Sequence, residues 1–432
     1  KQDVLEMLYG AEKWLPFTVT LKDELRTADR VAAHKTRVFT ASNIRHLLLG
    51  KMLFTDQETR LRATLGQHPV TIGISVPGPG YVVAVRGLAR HASKPRCWGY
   101  DIGGCDQTFL LTIARKIRDA RKKALPEVFH PAIDFYYNCT YCGELICCGC
   151  IHRALHQKSG QELTGDDTSL YGWGLVGLYV MDTIGCPVNE ADRYFQLLQN
   201  GDDGAVSFWD ERLSGPSFRD WCAKLGVTIE LEREEPSLEG QVTFLSNSLR
   251  ERFVPGRGDI VVTAGNLTKL LSSVEWLRKN ADFTLEENTL LHWCGLRIGL
   301  WPWKQHFDDL EERIDDYLKK IEVTPRIVEL LRCRVSSERI LQLHLRYEGG
   351  FNVFTLEECN GVRSQFMSAI KFAAGMQLPK GEKQRRALQS ARDKQSAKKG
   401  QKDAHVKAWK KKTGPNARVP ARSAGGSTGA SR

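Results

Sequence analysis

No stretch of this 432-residue chain approaches the ~20 consecutive apolar residues that a membrane span requires; the longest candidate, Leu290 to Trp303, is interrupted by His, Arg and Pro. A secretory leader is also missing, and no targeting peptide needs to be discounted. The first residue is Lys1 rather than Met, as expected of a segment cut from a longer precursor. Without a leader, twelve cysteines fit a reducing compartment better than a disulfide framework. Excess charge is absent from the body of the chain. Residues 380–432 hold 16 Lys/Arg and 3 Asp/Glu, a formal +13, so residues 1–379 carry about −2 of the total +11. Any cationic surface on the body must therefore be local, whereas the tail is a solvated polycation suited to nucleic acid. At 41% hydrophobic and 26% charged, the chain is long enough for a large core in several subdomains.

Gly201-Asp202-Asp203, between Tyr194–Asn200 and Gly204–Phe208, reads as two short strands joined by a tight turn that thrusts two carboxylates outward. Gly and Asp are also the ordinary residues of surface turns. A second carboxylate pair, in Trp98-Gly-Tyr-Asp101-Ile-Gly-Gly-Cys-Asp106-Gln-Thr-Phe109, raises the significance of the first. Two-metal phosphoryl transfer needs carboxylates from separate strands, holding ions roughly 3.5–4 Å apart. Asp101 beside Asp202 would supply that clamp.

Elsewhere the pattern predicts helices over Ile44–Phe54, Tyr81–His91 and Thr108–Lys123, with a turn-rich Val76-Pro-Gly-Pro-Gly80 before the second. Val242–Leu245 reads as a short strand. Helical patterns then dominate, over Asn266–Lys279 and Asp308–Val323, and Thr284 with Glu287 forms a capping box.

Lys22, Arg26, Lys35 and Arg37 are four cations kept close along the chain. A nucleoside triphosphate would join them, and the Arg fork grips phosphate oxygens in pairs; a solvated charged face interleaved with Asp23 and Glu24 is the alternative. Lys158-Ser159-Gly160 through Thr164 to Thr168 is a small-residue loop running into a helix. It could hold template and sugar, or be an ordinary helix cap.

Taken in order, these pieces resemble the RNA-dependent RNA polymerases of positive-strand RNA viruses, in the style of the picornavirus-like supergroup, over roughly residues 17–255. The resemblance implies an α+β right hand: fingers elements in 1–95, an antiparallel-sheet palm with an inserted fingers segment in 96–240, a helical thumb in 241–378, and a disordered basic tail in 379–432. It implies RNA-directed RNA polymerase activity, with Asp101, Asp202 and Asp203 holding two Mg²⁺ (or Mn²⁺) ions. Lys22, Arg26, Lys35 and Arg37 would meet the triphosphate. Asp106, Ser159, Gly160, Thr164 and Thr168 would meet template and ribose, the 2′-hydroxyl being what separates RNA from DNA. Trp221–Gly226 and Val242–Leu245 resemble the family's fourth and fifth palm motifs. Partners so implied are RNA template and primer, nucleoside triphosphates and other viral replication proteins. The expected location is host cytoplasm, in membrane-associated replication complexes reached through partners.

Two departures stand out. Thr168 occupies a place where the family commonly has Asn, and Arg233 lies where a Lys would serve as general acid to pyrophosphate. A reverse transcriptase-like palm enzyme is disfavoured by Asp106, where those enzymes typically place an aromatic. A non-catalytic RNA-binding virion protein, working through its tail, is the third class. Finally, Cys139, Cys142, His152 and His156 have the ligand types of a structural zinc site; a hairpin of buried thiols is the favoured reading.

Overall fold

The computed structural model describes residues 2–22, 31–33, 37–88, 96–237, 241–275, 277 and 282–345. All of these belong to one compact unit, Lys1–Cys359; the second unit, Asn360–Arg432, lies outside the described residues, as do Arg26 and Lys35.

The described strands are β1 (Phe17–Leu21), β2 (Val38–Ala41), β3 (Arg96–Gly103), β4 (Glu144–Cys147), β5 (Cys150–Arg153), β6 (Phe195–Asn200), β7 (Asp203–Phe208), β8 (Thr228–Leu231), β9 (Asn247–Val254) and β10 (Gly258–Gly265). They form three sheets. The central one has the order β6-β7-β3-β8 and is antiparallel throughout. Its strands are short and rich in apolar residues because both faces are covered: Trp98, Tyr100, Phe195, Leu197, Val206 and Phe208 share a core with Tyr171, Tyr179 and Phe218, while Cys97, Leu198 and Ala205 on the other face pack with Tyr81, Val85 and Leu88.

A second sheet, β2-β1-β4-β5, brings the amino-terminal cations next to the segment that precedes Ser159. Here β1 and β4 run parallel, while β1–β2 and β4–β5 are antiparallel. The third is the β9–β10 ribbon, paired over eight residues from Gly258↔Val254 to Gly265↔Asn247. It packs on a helical assembly, Leu285–Leu300, Lys304–Leu318 and Ser337–Leu345, around Trp301, Phe307, Leu310 and Ile314.

Most helices start or stop where local chemistry dictates. The expected capping box is present: Thr284 accepts from Glu287 N–H and Glu287 returns the bond to Thr284 N–H. The helix expected from Tyr81 begins earlier, at Pro79, and ends at Gly87. Proline at the first turn is pre-set for helical φ and gives up only a donor that has no partner there. Thr108–Lys123 resolves into a short turn, Cys105–Thr108, and a helix over Leu111–Lys123. Ile44–Phe54 extends to Ala63, Asn266–Lys279 is helical over Leu267–Val274, with residues 276, 278 and 279 outside the described residues, and Asp308–Val323 shifts to Lys304–Leu318.

One expectation fails. Val242–Leu245 is not a strand; Phe244 and Asn247 instead close a two-residue turn, and the ribbon starts only at Asn247. Leu245 and Ser246 both adopt positive φ, 53° and 56°. Tyr81 holds this turn in place, its hydroxyl lying 2.7 Å from the Phe244 carbonyl and 2.6 Å from that of Asn247.

Candidate active site

Strands β6 and β7 form a hairpin whose closing pair is Asn200↔Asp203, leaving Gly201 and Asp202 as the turn. Gly201 has φ 63°, at the position where a type II′ hairpin favours glycine. Asp202 therefore occupies the turn itself, and Asp203 is the first residue of β7. Across the next ladder Asp203 faces Asp101, and across the one after that Asp101 faces Glu230. Directly opposed residues share a face of the sheet, so three carboxylates form a lateral row. Asp202 borders this row, since the Ile102 N–H donates to the Asp202 carbonyl (3.0 Å).

Crowding of like charge shows in the acidities. Burial, followed by the charges of Asp202 and Glu230, pushes Asp101 up to about 6, although Arg37 and Lys269 act in the opposite direction. Burial, then Asp101 and Glu232, pushes Asp203 up to about 7, against a hydrogen bond from the Leu245 N–H. Burial is the larger cause in both, and the neighbouring carboxylates add to it. The site's donors are hard oxygens on adjacent strands, which is what Mg²⁺ or Mn²⁺ takes. Asp101, Asp202 and Asp203 offer the donor type these ions take, although no three of the described His, Cys, Asp or Glu side chains are gathered closely enough in the structure to hold an ion.

The turn is braced from beneath by residues the sequence reading did not single out. Gln199 is buried; its amide nitrogen donates to the carbonyls of Gly201 (3.0 Å) and Asp203 (3.1 Å), and its oxygen accepts from the Tyr100 hydroxyl. Asn200 donates to the Thr71 carbonyl (3.2 Å). The alternation of polar Gln199 within an apolar strand was the available signal.

The cations divide. Lys22 follows β1 and its N–H donates to the carbonyl of Arg37, just ahead of β2 (2.9 Å). Arg37 acts electrostatically on Asp101, which places that cation on the carboxylate side. Arg26 and Lys35 fall outside the described residues.

Ser159 and Gly160 dock on β2. The Ser159 hydroxyl accepts from the Thr40 N–H (3.3 Å), and a Cβ at Gly160 would lie 1.7 Å from the Thr40 carbonyl oxygen, so only glycine fits. Thr164 opens the long Thr164–Ile184 helix and donates to the carbonyls of Ser159 (2.7 Å) and Gln161 (2.8 Å). Asp106 stands half-buried one turn past β3. Thr168 is 5% exposed, and its hydroxyl donates to Gln157 (3.1 Å).

The proposed zinc ligands do not converge: among the described residues no group of three or more His, Cys, Asp or Glu could hold a metal ion. Cys139 and Cys142 pack against the palm core from the His130–Cys142 helix. Burial pushes the Cys139 thiol up to about 12. His152 lies on β5 opposite Leu145, and His156 Nδ1 lies 2.9 Å from the Gln157 carbonyl. The expectation of wholly buried thiols is also corrected, because Cys148 and Cys150 at the β4–β5 tip are exposed. Among the described residues no helix is long and apolar enough to cross a membrane.

A family model described as viral RNA-dependent RNA polymerase matches residues 10–318. Genome polyprotein 1 of barley yellow mosaic virus (isolate Germany) is 31% identical over 224 residues, 49% of this chain and 9% of that protein. The genome polyprotein of Blackberry virus Y is 26% identical over 274 residues, 60% of this chain and 7% of that protein. The chain thus spans under a tenth of the length of these curated relatives. Among solved structures, the sicinivirus 3Dpol RNA-dependent RNA polymerase is similar with a TM-score of 0.60 at 16% identity, covering 78% of this chain and 70% of that one; the likeness is one of fold. Because the family model runs from before β1 through the palm sheet to the end of the Lys304–Leu318 helix, the chain belongs to the viral RNA-dependent RNA polymerase family.

Proposed function

We propose that this chain copies viral RNA: the 3′-hydroxyl of a growing strand attacks the α-phosphate of a template-paired nucleoside triphosphate, and pyrophosphate leaves. The observation that carries this reading is the lateral row of Asp203, Asp101 and Glu230 beside Asp202, with Asp101 and Asp203 pushed up to about 6 and 7. Two divalent cations held by Asp101, Asp202 and Asp203 would supply charge neutralisation at the attacking and leaving oxygens.

The protein's own contribution is positioning. Gln199 and the Gly201 turn fix the aspartates before substrate arrives, so little reorganisation is needed during the reaction. Lys22 and Arg37, with Arg26 and Lys35 beyond the described residues, meet the triphosphate. Asp106, an acceptor when ionised, accepts a hydrogen bond from a ribose 2′-hydroxyl, a group a deoxyribose lacks. Ser159 and Thr164 keep the preceding loop against β2 and the long helix. The basic segment 380–432 holds RNA through counterion release. Other replication proteins deliver the enzyme to membrane-associated complexes in the host cytoplasm.

Primer extension on a defined template with Mg²⁺ tests the reading. Wild-type protein is expected to prefer NTP over dNTP, and Asp202→Asn to lose at least about 10²-fold in rate with RNA affinity unchanged. Retained synthesis in that variant would remove the metal assignment.

A further inference from the structure

Gln157 lies between the two parts of the ribose site, and it is 1% exposed. Its backbone N–H donates to the Asp106 carbonyl (3.0 Å). Its carboxamide oxygen accepts from the Thr168 hydroxyl (3.1 Å), and its amide nitrogen is 3.4 Å from the Tyr141 hydroxyl. One residue therefore touches the turn that carries Asp106, the helix that carries Thr168, and the His130–Cys142 helix behind both.

The anchor at its back is rigid. Tyr141 stacks on Tyr137 (5.7 Å, 15°) and packs against Phe109 (5.2 Å), which stacks on Tyr171 (4.0 Å, 21°). This aromatic column joins the segment after Asp106 to the Thr164–Ile184 helix. Downstream the loop is held equally firmly: the Lys158 N–H donates to the Thr140 carbonyl (3.3 Å), and the buried Lys158 ammonium donates to the carbonyls of Ala154 (2.7 Å) and His156 (3.2 Å).

A hydroxyl has one proton to give. While Thr168 spends its proton on Gln157, it can only accept on its remaining lone pairs, and it cannot donate to a sugar. Gln157 thereby fixes both where Thr168 points and what it offers. We propose that Gln157 is a positioning residue for ribose discrimination, holding the Asp106 turn so that its carboxylate accepts from the 2′-hydroxyl of the incoming nucleotide, and holding Thr168, which has no proton left to give, as the neighbouring wall of that site. This rests on the reading of Asp106 as the ribose-sensing carboxylate of an RNA polymerase.

The test compares kcat/KM for NTP and for the matching dNTP in the full chain. Gln157→Met keeps the volume and removes the carboxamide; Thr168→Val keeps the shape and removes the hydroxyl. Either change is expected to lower the NTP:dNTP ratio by about tenfold, through kcat/KM for NTP, with dNTP use and RNA affinity little changed. The double variant should be no worse than the single ones, because both break the same contact. Gln157→Glu can accept from both the Thr168 and Tyr141 hydroxyls and should keep the ratio within about twofold of wild type; it also serves if the Met variant folds poorly. Equal losses for NTP and dNTP in Gln157→Met, or fully multiplicative losses in the double variant, would overturn the inference while leaving the polymerase reading intact. Absence of template-directed synthesis by the wild-type protein would instead remove the polymerase reading itself.

Discussion

The backbone N–H of Gly201 donates to the Ser169 hydroxyl oxygen at 2.8 Å, tying the turn that carries Asp202 to the first turns of the Thr164–Ile184 helix. Ser169 in turn donates to the Gly165 carbonyl (2.7 Å), so its rotamer is fixed. The helix that begins at the loop around Ser159 is thus also the helix that sets the turn carrying Asp202.

Replacing Ser169 with Ala leaves the Gly201 N–H without this acceptor while changing little volume. A displacement of the turn by even a fraction of an ångström would misplace a carboxylate proposed to hold metal, and such errors cost up to about 10²-fold in rate. Ser169→Ala is expected to lower kcat by about 10-fold or more, with KM for NTP little affected because the triphosphate cations are elsewhere. Steady-state primer extension separates the two constants; a change confined to KM would show that Ser169 does not act through the turn.

The same helix offers a paired test at two glycines. A Cβ at Gly172 would lie 2.4 Å from the Gln199 side chain, whereas one at Gly177 meets nothing within 4 Å. Gly172→Ala must displace Gln199, which holds the Gly201 and Asp203 carbonyls. Overpacking of this kind costs about 1–3 kcal/mol, and activity should fall with it. Gly177→Ala removes a flexible helix residue and should stabilise by up to about 1 kcal/mol. Denaturant melts and extension rates on the two variants give opposite signs if the bracing of Gln199 is as described.

The local geometry at Gly201 and Asp101 was legible in the sequence because it depends on short-range patterns. Gly201 between apolar runs can only be a turn, and Asp101 within Trp98–Ile102 reads as a strand. The expected resemblance to viral RNA polymerases likewise agrees with the family match over residues 10–318. Less legible were contacts made by tertiary packing. Nothing local shows that Glu230 faces Asp101, or that Ser169 reaches Gly201. The Val242–Leu245 segment misled for a similar reason: its β-branched and aromatic residues look like a strand, yet Val242 and Phe244 are buried beside Tyr81 while the chain turns at Leu245 and Ser246. The cysteine cluster misled by proximity along the chain, because Cys139 and Cys142 lie on a helix and His152 on a strand.

Arg121 and Asp167 form an ion pair at 2.6 Å with side-chain exposures of 7% and 1%. Asp167 also accepts from the Tyr137 hydroxyl (2.9 Å), and Arg121 donates to Gln57 (3.1 Å). Removing one partner of such a pair strands the other charge out of water, at a cost of about 3–5 kcal/mol. Arg121→Met is therefore expected to destabilise strongly, and the loss should be insensitive to salt because the pair is shielded from solvent ions. Joint replacement, Arg121→Met with Asp167→Asn, should recover much of the stability in denaturant titrations. A double variant as unstable as Arg121→Met alone would show that packing, and not the stranded charge, sets the cost.

Asp203 links stability to pH and to metal. Burial, then Asp101 and Glu232, raise it from 3.8 to about 7. A carboxyl whose folded-state pKa lies above its unfolded value favours the folded chain at low pH. As pH rises from about 4 towards 7, the unfolded chain ionises first and stability falls; above about 7 both states are ionised and the penalty is constant. Metal-free Asp203→Asn should therefore melt higher than wild type at pH 8, by about 2 °C or more, with the gap narrowing at pH 5 and closing near pH 4. If the folded carboxylates hold Mg²⁺ as proposed, the ion should raise the melting temperature of wild type more than that of the variant. Melting curves at pH 5 and pH 8, with and without Mg²⁺, read all four quantities. If the metal-free wild type instead gained stability over the variant between pH 5 and pH 8, Asp203 would be paired with a cation of the protein and not held up by burial and its neighbouring carboxylates.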